Sequence, residues 1–201
     1  MMISCSGTNL GSCTLNECTD PTDTSKNTLA ANSGLGSDHL ELSGINVNAA
    51  AGGGSDTLDL SGDGICAWGE SGDDTINISG RNIMADGGTG TDTYTISGTF
   101  DGAGSGPSGI VICDSDQTSS DLIIDLDGLA CSGGFSGVLY QDGNMLKIME
   151  CGSGDMIVLA TIPTATGSVT TQNIDSCLQG CTAPTTTTLP TSKYSRRKCL
   201  V

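Results

Sequence analysis

Gly52-Gly-Gly-Ser-Asp-Thr-Leu-Asp-Leu-Ser-Gly62 decides how this chain is read, because its pattern recurs in register along the sequence. The turn portion appears again as Gly34-Leu-Gly-Ser-Asp38, Glu70-Ser-Gly-Asp-Asp74 and Gly88-Thr-Gly-Thr-Asp92. Asp38, Asp56, Asp74 and Asp92 are therefore spaced 18, 18 and 18. Two alternating apolar columns follow each Asp, Leu40/Leu58/Ile76/Tyr94 and Leu42/Leu60/Ile78/Ile96. Ser43/Ser61/Ser79/Ser97 and Gly44/Gly62/Gly80/Gly98 close them. Half a period later Val47/Ile65/Ile83 and Ala49/Ala67/Ala85/Ala103 make a second alternating pair. A fixed period of this length marks a repeat architecture, and period-2 alternation between Gly-rich turns marks short strands. Two such strands per 18 residues describe one coil of a flattened parallel β-roll or β-helix, so the expected fold class is all-β. Coils stack about 4.8 Å apart, which sets the Leu/Ile columns against the Val/Ala columns across a narrow core.

Composition agrees. The 201 residues hold 23 acidic and 7 basic side chains, a net charge of -16. Four of the seven bases (Lys193, Arg196, Arg197 and Lys198) lie in the final stretch, so the body is more negative still. Phosphate and anionic lipid surfaces repel such a body, which argues against nucleic acid as a partner. A metal cation suits it. Only 36% of residues are hydrophobic and 3% aromatic, while Gly numbers 30, so thin repetitive layers must replace a bulky core. Glycine at this density disfavours helix by about 1 kcal/mol per position. No stretch approaches the roughly 18 apolar residues of a membrane span.

Ala51-Gly-Gly-Gly-Ser-Asp-Thr-Leu-Asp59 and Gly87-Gly-Thr-Gly-Thr-Asp-Thr-Tyr-Thr95 resemble the nonapeptide of RTX (repeats-in-toxin) haemolysin-type calcium-binding proteins. The resemblance covers residues 33–105. Asp121-Leu-Ile-Ile-Asp-Leu-Asp-Gly128, Tyr140-Gln-Asp-Gly-Asn-Met-Leu-Lys-Ile148 and Gly152-Ser-Gly-Asp-Met-Ile-Val158 look like the degenerate segment that continues and closes such a sheet. The organisation implied is a Cys-containing lead or cap over 1–33 and a calcium-binding β-roll of four coils over 34–105. A degenerate continuation and C-terminal cap over 106–181 and a Thr/Pro-rich linker with a basic tail over 182–201 complete it.

The resemblance also implies a ligand set. Ca²⁺ takes six to eight oxygens, and Gly-rich turns bend so that carbonyls point inward. Carried over by position, the ligands are Asp38, Asp56, Asp74 and Asp92, with carbonyls of Gly34, Gly36, Gly52, Gly54, Gly72, Gly88 and Gly90. Stacking brings the carboxylates together, and an ion between neighbouring turns reverses their repulsion. Four turns enclose three gaps, so about three Ca²⁺ ions are expected. Without metal the small core does not offset chain entropy, which predicts folding coupled to calcium. Glu70 replaces a turn Gly, and Asp73 stands beside it; either weakens its site or adds a ligand. The metal-free alternative is that each Asp only closes its own turn through Asx hydrogen bonds.

Two features depart from the family. The other half-repeats, such as Leu42-Ser-Gly-Ile-Asn-Val-Asn-Ala-Ala50, place Val47, Ile65 and Ile83 where a second Asp would stand, so only one edge is suited to metal. This one-sided pattern is similar to the ice-binding and spacer regions of large RTX adhesins. The ten Cys are the second departure. Their spacing lacks paired zinc-module geometry and the sole His is His39, so disulfides in an oxidising compartment are expected. Cys113 and Cys131, one period apart, are a candidate pair; Cys5, Cys13 and Cys18 are candidates to staple a cap. Asp114-x-Asp116-x-Thr118 with Asp125 faintly mimics an EF-hand loop without its central Gly, and loop solvation is the plainer reading. Met1-Met-Ile-Ser-Cys5 lacks the apolar core of a secretory leader, so export is expected by another signal or as part of a longer chain.

The function these features imply is a secreted, extracellular or cell-surface calcium-binding module, serving as a folding scaffold or adhesion element with a surface, matrix or self-association partner. A filament or extracellular-matrix subunit built by stacking open β-helix ends is the alternative. An ice-binding face on the outward column His39/Thr57/Thr75/Thr93 is a lesser one, weakened by the charged neighbours Glu41/Asp59/Asn77/Thr95. An enzyme is not expected. The chain has one His, no Gly-x-Ser-x-Gly and no His-Glu-x-x-His, which leaves only paired Asp acting on polysaccharide.

Overall fold

The structure, a computed structural model, describes residues 2–7, 16–19, 27–45, 47–101, 106–113, 123–162 and 169–182, with side chains from 33 onward. Its strands in chain order begin with β1 (Met2–Gly7), β2 (Asn16–Thr19), β3 (Asn27–Asn32), β4 (Asp38–Ser43), β5 (Val47–Gly53) and β6 (Thr57–Leu60). Next come β7 (Cys66–Ser71), β8 (Thr75–Ile78), β9 (Met84–Asp86), β10 (Thr93–Ile96), β11 (Gly98–Phe100) and β12 (Ile110–Cys113). The last are β13 (Ile123–Asp125), β14 (Leu129–Cys131), β15 (Gly137–Asp142), β16 (Met145–Glu150), β17 (Met156–Thr161) and β18 (Thr170–Gln172). A 3₁₀ turn at Ser176–Leu178 is the one helical element among the described residues.

From β3 to β10 successive strands fall alternately into two sheets, which run in full β1-β4-β6-β8-β10-β13-β18 and β15-β16-β17-β12-β9-β7-β5-β3-β2. From β4 to β18 the first sheet is parallel throughout. In the second, β3, β5, β7, β9, β12 and β17 are parallel. This is an all-β fold of the β-roll type. The register is set by the sequence columns: His39 lies opposite Thr57, Thr57 opposite Thr75, and Thr75 opposite Thr93. Ala49, Ala67 and Ala85 line up in the other sheet. Alternation then buries every second side chain. Leu40, Leu58, Ile76, Tyr94, Val47, Ile65 and Ile83 are all wholly inaccessible, each contributing roughly 2 kcal/mol relative to exposure. Tyr94 keeps its polar end satisfied, since its hydroxyl accepts from Gly87 N at 2.6 Å and donates to the Cys113 carbonyl at 3.0 Å.

The periodicity breaks after β10. Ala103 was expected to continue the Ala column, but it lies outside the described residues and Ile112 stands opposite Ala85 instead. The chain first diverts into β11, which pairs with β14 in a separate two-stranded sheet, so the second sheet resumes later than a strict repeat allows. At the N-terminal end antiparallel strands flank the parallel array, β1 on β4 and β2 on β3. At the other end of the second sheet β16 and β15 turn antiparallel on β17.

The disulfide expectation is partly corrected. Cys131 is bonded to Cys177, not to Cys113, and Cys151 to Cys181. Cys113 is disulfide-bonded elsewhere. Cys131 ends β14, outside the two main sheets, so the sequence interval of one period places no stack between it and Cys113. Cys66 is a free thiol, and burial pushes its pKa up. The side chains of Cys5 and Cys18, and Cys13, Cys199, the Asp114–Thr118 stretch and the 183–201 tail, lie outside what the structure describes.

Candidate metal edge of the coils

Each coil crosses from the second sheet to the first through a turn that ends on one of the four aspartates. Gly34, Gly36, Gly52, Gly54, Gly72, Gly88 and Gly90 all lie in these turns with φ between 98° and 134°. The requirement is plainest at Gly72: a Cβ there would stand 1.9 Å from the Gly54 carbonyl oxygen of the preceding coil. Backbone hydrogen bonds stitch turn to turn, with Gly54 N donating to Ser71 O at 2.8 Å and Gly72 N to Thr89 O at 2.8 Å. The Gly34 carbonyl accepts from Gly53 N at 2.9 Å, leaving it a second lone pair. Glu70 occupies the glycine place with φ 77° and an exposed side chain. Asp73 is exposed and accepts from Thr91 N at 2.8 Å.

The structure brings the four aspartates into one buried line. Asp38 is 4% exposed, and Asp56, Asp74 and Asp92 are each 1% exposed. The carboxylates of Asp56, Asp74 and Asp92 each lean toward the preceding coil. Asp38 N donates to Asp56 Oδ1 at 2.7 Å, Asp56 N to Asp74 Oδ1 at 2.8 Å, and Asp74 N to Asp92 Oδ1 at 2.9 Å. One oxygen of each acceptor is thereby used. Oδ2 of Asp56, Oδ2 of Asp74 and both oxygens of Asp38 are buried with no hydrogen-bond partner. Asp74 Oδ2 fills the space above Gly69, where a Cβ would be 2.1 Å away, and Asp92 Oδ2 does the same above Gly87.

Electrostatics follow from that burial. Desolvation pushes Asp74 from 3.8 up to about 7; the Asp56 N–H partly offsets it, while Asp92, Asp56 and Asp73 repel its charge. Asp56 is raised too, by desolvation first and by the Asp38 charge, against the hydrogen bond from Asp38 N. A buried carboxylate with an idle oxygen costs free energy unless a positive charge reaches it. The metal-free alternative has each Asp closing its own turn; the bonds to Asp56, Asp74 and Asp92 run between coils instead, and they leave Oδ2 of Asp56 and of Asp74 idle. These oxygens, with nearby turn carbonyls, form a hard, all-oxygen donor set that fits Ca²⁺.

Sequence reasoning missed two further features. Asp86, at the end of β9, is 6% exposed with Oδ1 unpaired; desolvation raises its pKa despite a hydrogen bond from Gly88 N. Only the fold reveals it, since its column otherwise reads Ala50 and Trp68. His39, Glu41 and Asp59 meet on the outer face of the first sheet, a juxtaposition that follows from alternation and register together. The EF-hand mimic gains nothing at Asp125. Burial opposes its ionisation, but hydrogen bonds from Asn173, Asp127 N and Gln172 outweigh that and hold its pKa below the ordinary value.

The class this geometry defines is an all-β, two-sheet coil with one carboxylate-lined edge. No protein-family model and no curated protein matches the chain. Among solved structures the chain is similar to the AlgE6R3 subunit of the Azotobacter vinelandii mannuronan C5-epimerase, in a solution structure. Identity is 17% and the TM-score 0.33, over 83% of this chain and 92% of that one. A likeness at that level carries no argument here, and the β-roll description rests on the strand register itself.

Proposed function

We propose that this chain is a calcium-binding β-roll of RTX type with 18-residue coils, a secreted or cell-surface module whose fold is completed by about three Ca²⁺ ions. The observation that carries the reading is the row of four buried aspartates, in which Asp38 Oδ1 and Oδ2, Asp56 Oδ2 and Asp74 Oδ2 lack hydrogen-bond partners. Asp38, Asp56, Asp74 and Asp92 supply the charge, and carbonyls of Gly34, Gly36, Gly52, Gly54, Gly72, Gly88 and Gly90 supply neutral oxygens. Bound calcium contributes the positive charge that lets neighbouring carboxylates ionise side by side. The chain's own part is to align the turns, exclude water from the row and convert ion binding into coil stacking.

The disulfides Cys131–Cys177 and Cys151–Cys181 support an oxidising, extracellular setting, where calcium on the order of a millimolar fills weak sites. The role is that of a scaffold or adhesion element, without catalysis. A single module is favoured over a stacked filament, because antiparallel β1 and β2 occupy the N-terminal ends of both sheets. Calcium calorimetry on the full chain, with far-UV circular dichroism before and after chelation, tests the reading. We expect about three ions bound and loss of most strand signal in chelator. Unchanged strand content after complete chelation, with no heat of calcium binding, would reject it.

A further inference from the structure

The outer face of the first sheet carries a second donor set, chemically unlike the turn edge. His39 and Glu41 are two apart on β4, so both point outward, while Asp38, Leu40 and Leu42 between and beside them point in. Register puts Asp59 of β6 directly opposite Glu41. As a result a ring nitrogen of His39 and a carboxylate oxygen from each of Glu41 and Asp59 all lie within 4.8 Å of one another. His39 Nε2 is 2.6 Å from Asp59 Oδ2. The other oxygen, Asp59 Oδ1, accepts from Asn77 Nδ2 at 2.6 Å, which fixes the carboxylate with Oδ2 toward the imidazole. Beside the cluster opens a hollow of about 230 Å³ lined by Glu41, Leu42, Ser43, Asp59 and Ser61. It leaves room for water on the side that the protein does not cover.

We propose that His39, Glu41 and Asp59 form a binding site for one divalent transition cation of the Zn²⁺ class. One imidazole nitrogen and two carboxylate oxygens, with solvent completing the shell, is a three-ligand set that Zn²⁺ accepts. The nitrogen donor separates it from the aspartate row: imidazole suits Zn, Cu and Ni, whereas Ca²⁺ and Mg²⁺ prefer oxygen alone. Neighbouring β-strands hold all three side chains, so little backbone ordering remains to be done on binding. Metal would take the Nε2 lone pair and Oδ2 in place of the Nε2–Oδ2 hydrogen bond, whose proton passes to solvent, and Asn77 acts as a positioning residue through Asp59. The surplus of negative charge on the chain draws cations toward this face. His39 is the only histidine, so a single substitution and a single pair of imidazole resonances report on the site. The site shares no ligand with the turns, and it needs the β4–β6 pairing, so it is tested with calcium in excess.

The test is a ZnCl₂ titration of the full chain in excess calcium, followed by calorimetry and by the His39 ring signals in NMR. One Zn²⁺ per chain is expected, with the imidazole resonances shifting in step with the heat. His39→Ala should weaken that binding at least about a hundredfold, and Asn77→Ala about tenfold. Because the His39 side chain is 39% exposed and Asn77 lies on the same half-exposed outer face, these variants should keep wild-type circular dichroism. Absence of zinc binding to the wild-type chain would overturn the proposal and leave His39 and Asp59 as a hydrogen-bonded pair only. Undiminished binding to His39→Ala, or displacement of zinc by further calcium, would overturn it as well.

Discussion

Along one edge of the coils, Ser61 and Ser79 each return a hydroxyl to the preceding coil, at 3.4 Å to Leu42 O and 3.3 Å to Leu60 O. Asp63 N and Arg81 N bond the carbonyls of Gly44 and Gly62 at 2.9 Å. The residues stacked there are Ile45, Asp63, Arg81 and Ser108, of mixed character, with Asn82 Nδ2 on Asp63 Oδ1 at 2.8 Å. Along the opposite edge the stacked residue is always aspartate and always buried, and Asp38, Asp56 and Asp74 keep carboxylate oxygens without a hydrogen-bond partner. Both edges use short Gly-containing turns at strand spacing. The difference is what is repeated: a neutral or alternating side chain can close its own hydrogen bonds, whereas an identical charge stacked on itself cannot. One edge is self-sufficient and the other asks for a cation.

The comparison can be broken most sharply at Asp74. Asn in its place keeps an acceptor for Asp56 N but removes the charge. Asp74→Asn should therefore stabilise the metal-free chain and destabilise the calcium-loaded one, by about 1–3 kcal/mol in each direction. Strand content by circular dichroism in chelator, expected to rise, and urea unfolding in calcium, expected to shift down, check both signs; changes of the same sign in both conditions would contradict a charge-based edge.

Acid should imitate the ion more weakly. The folded pKa of Asp74 is about 7 against an ordinary 3.8, so between those values the folded state holds more protons than the unfolded one. Metal-free stability then falls as pH rises from about 4 to about 7. The strand signal that survives in chelator should be larger at pH 5 than at pH 8 by circular dichroism, and Asp74→Asn should flatten most of that difference.

Smaller effects separate geometry from charge. Glu70 holds φ 77° at a place glycine fills in the other turns, so Glu70→Gly should stabilise the calcium-loaded chain by about 1 kcal/mol in urea unfolding. On the self-sufficient edge, Ser79→Ala removes one long hydrogen bond. It should move stability by less than about 0.5 kcal/mol and leave calcium stoichiometry unchanged, as calorimetry would show.

The coil fold was legible from sequence because its cause is local and repeated. Leu40 and Leu42, Leu58 and Leu60, Ile76 and Ile78 alternate, and they alternate because a strand exposes every second side chain. The alignment of Asp38, Asp56, Asp74 and Asp92 was equally visible, since identical positions in identical coils must stack. Legibility stopped where the repeat stopped. Ile112 takes the expected place of Ala103 because β11 leaves the coil for β14, and no residue between 98 and 110 announces that detour. Cys113 and Cys131 shared the period in number but not in space, for the same reason.

The sequence by itself thus determined the two-sheet winding, its inward columns and the single row of carboxylates, because each follows from one short pattern applied again and again. Tertiary structure alone decided how far those carboxylates are buried, which of their oxygens the neighbouring coil leaves idle, and which cysteines meet. It alone also brought His39 to Asp59. Such properties depend on distances between segments remote in the chain, and no local preference encodes a distance of that kind.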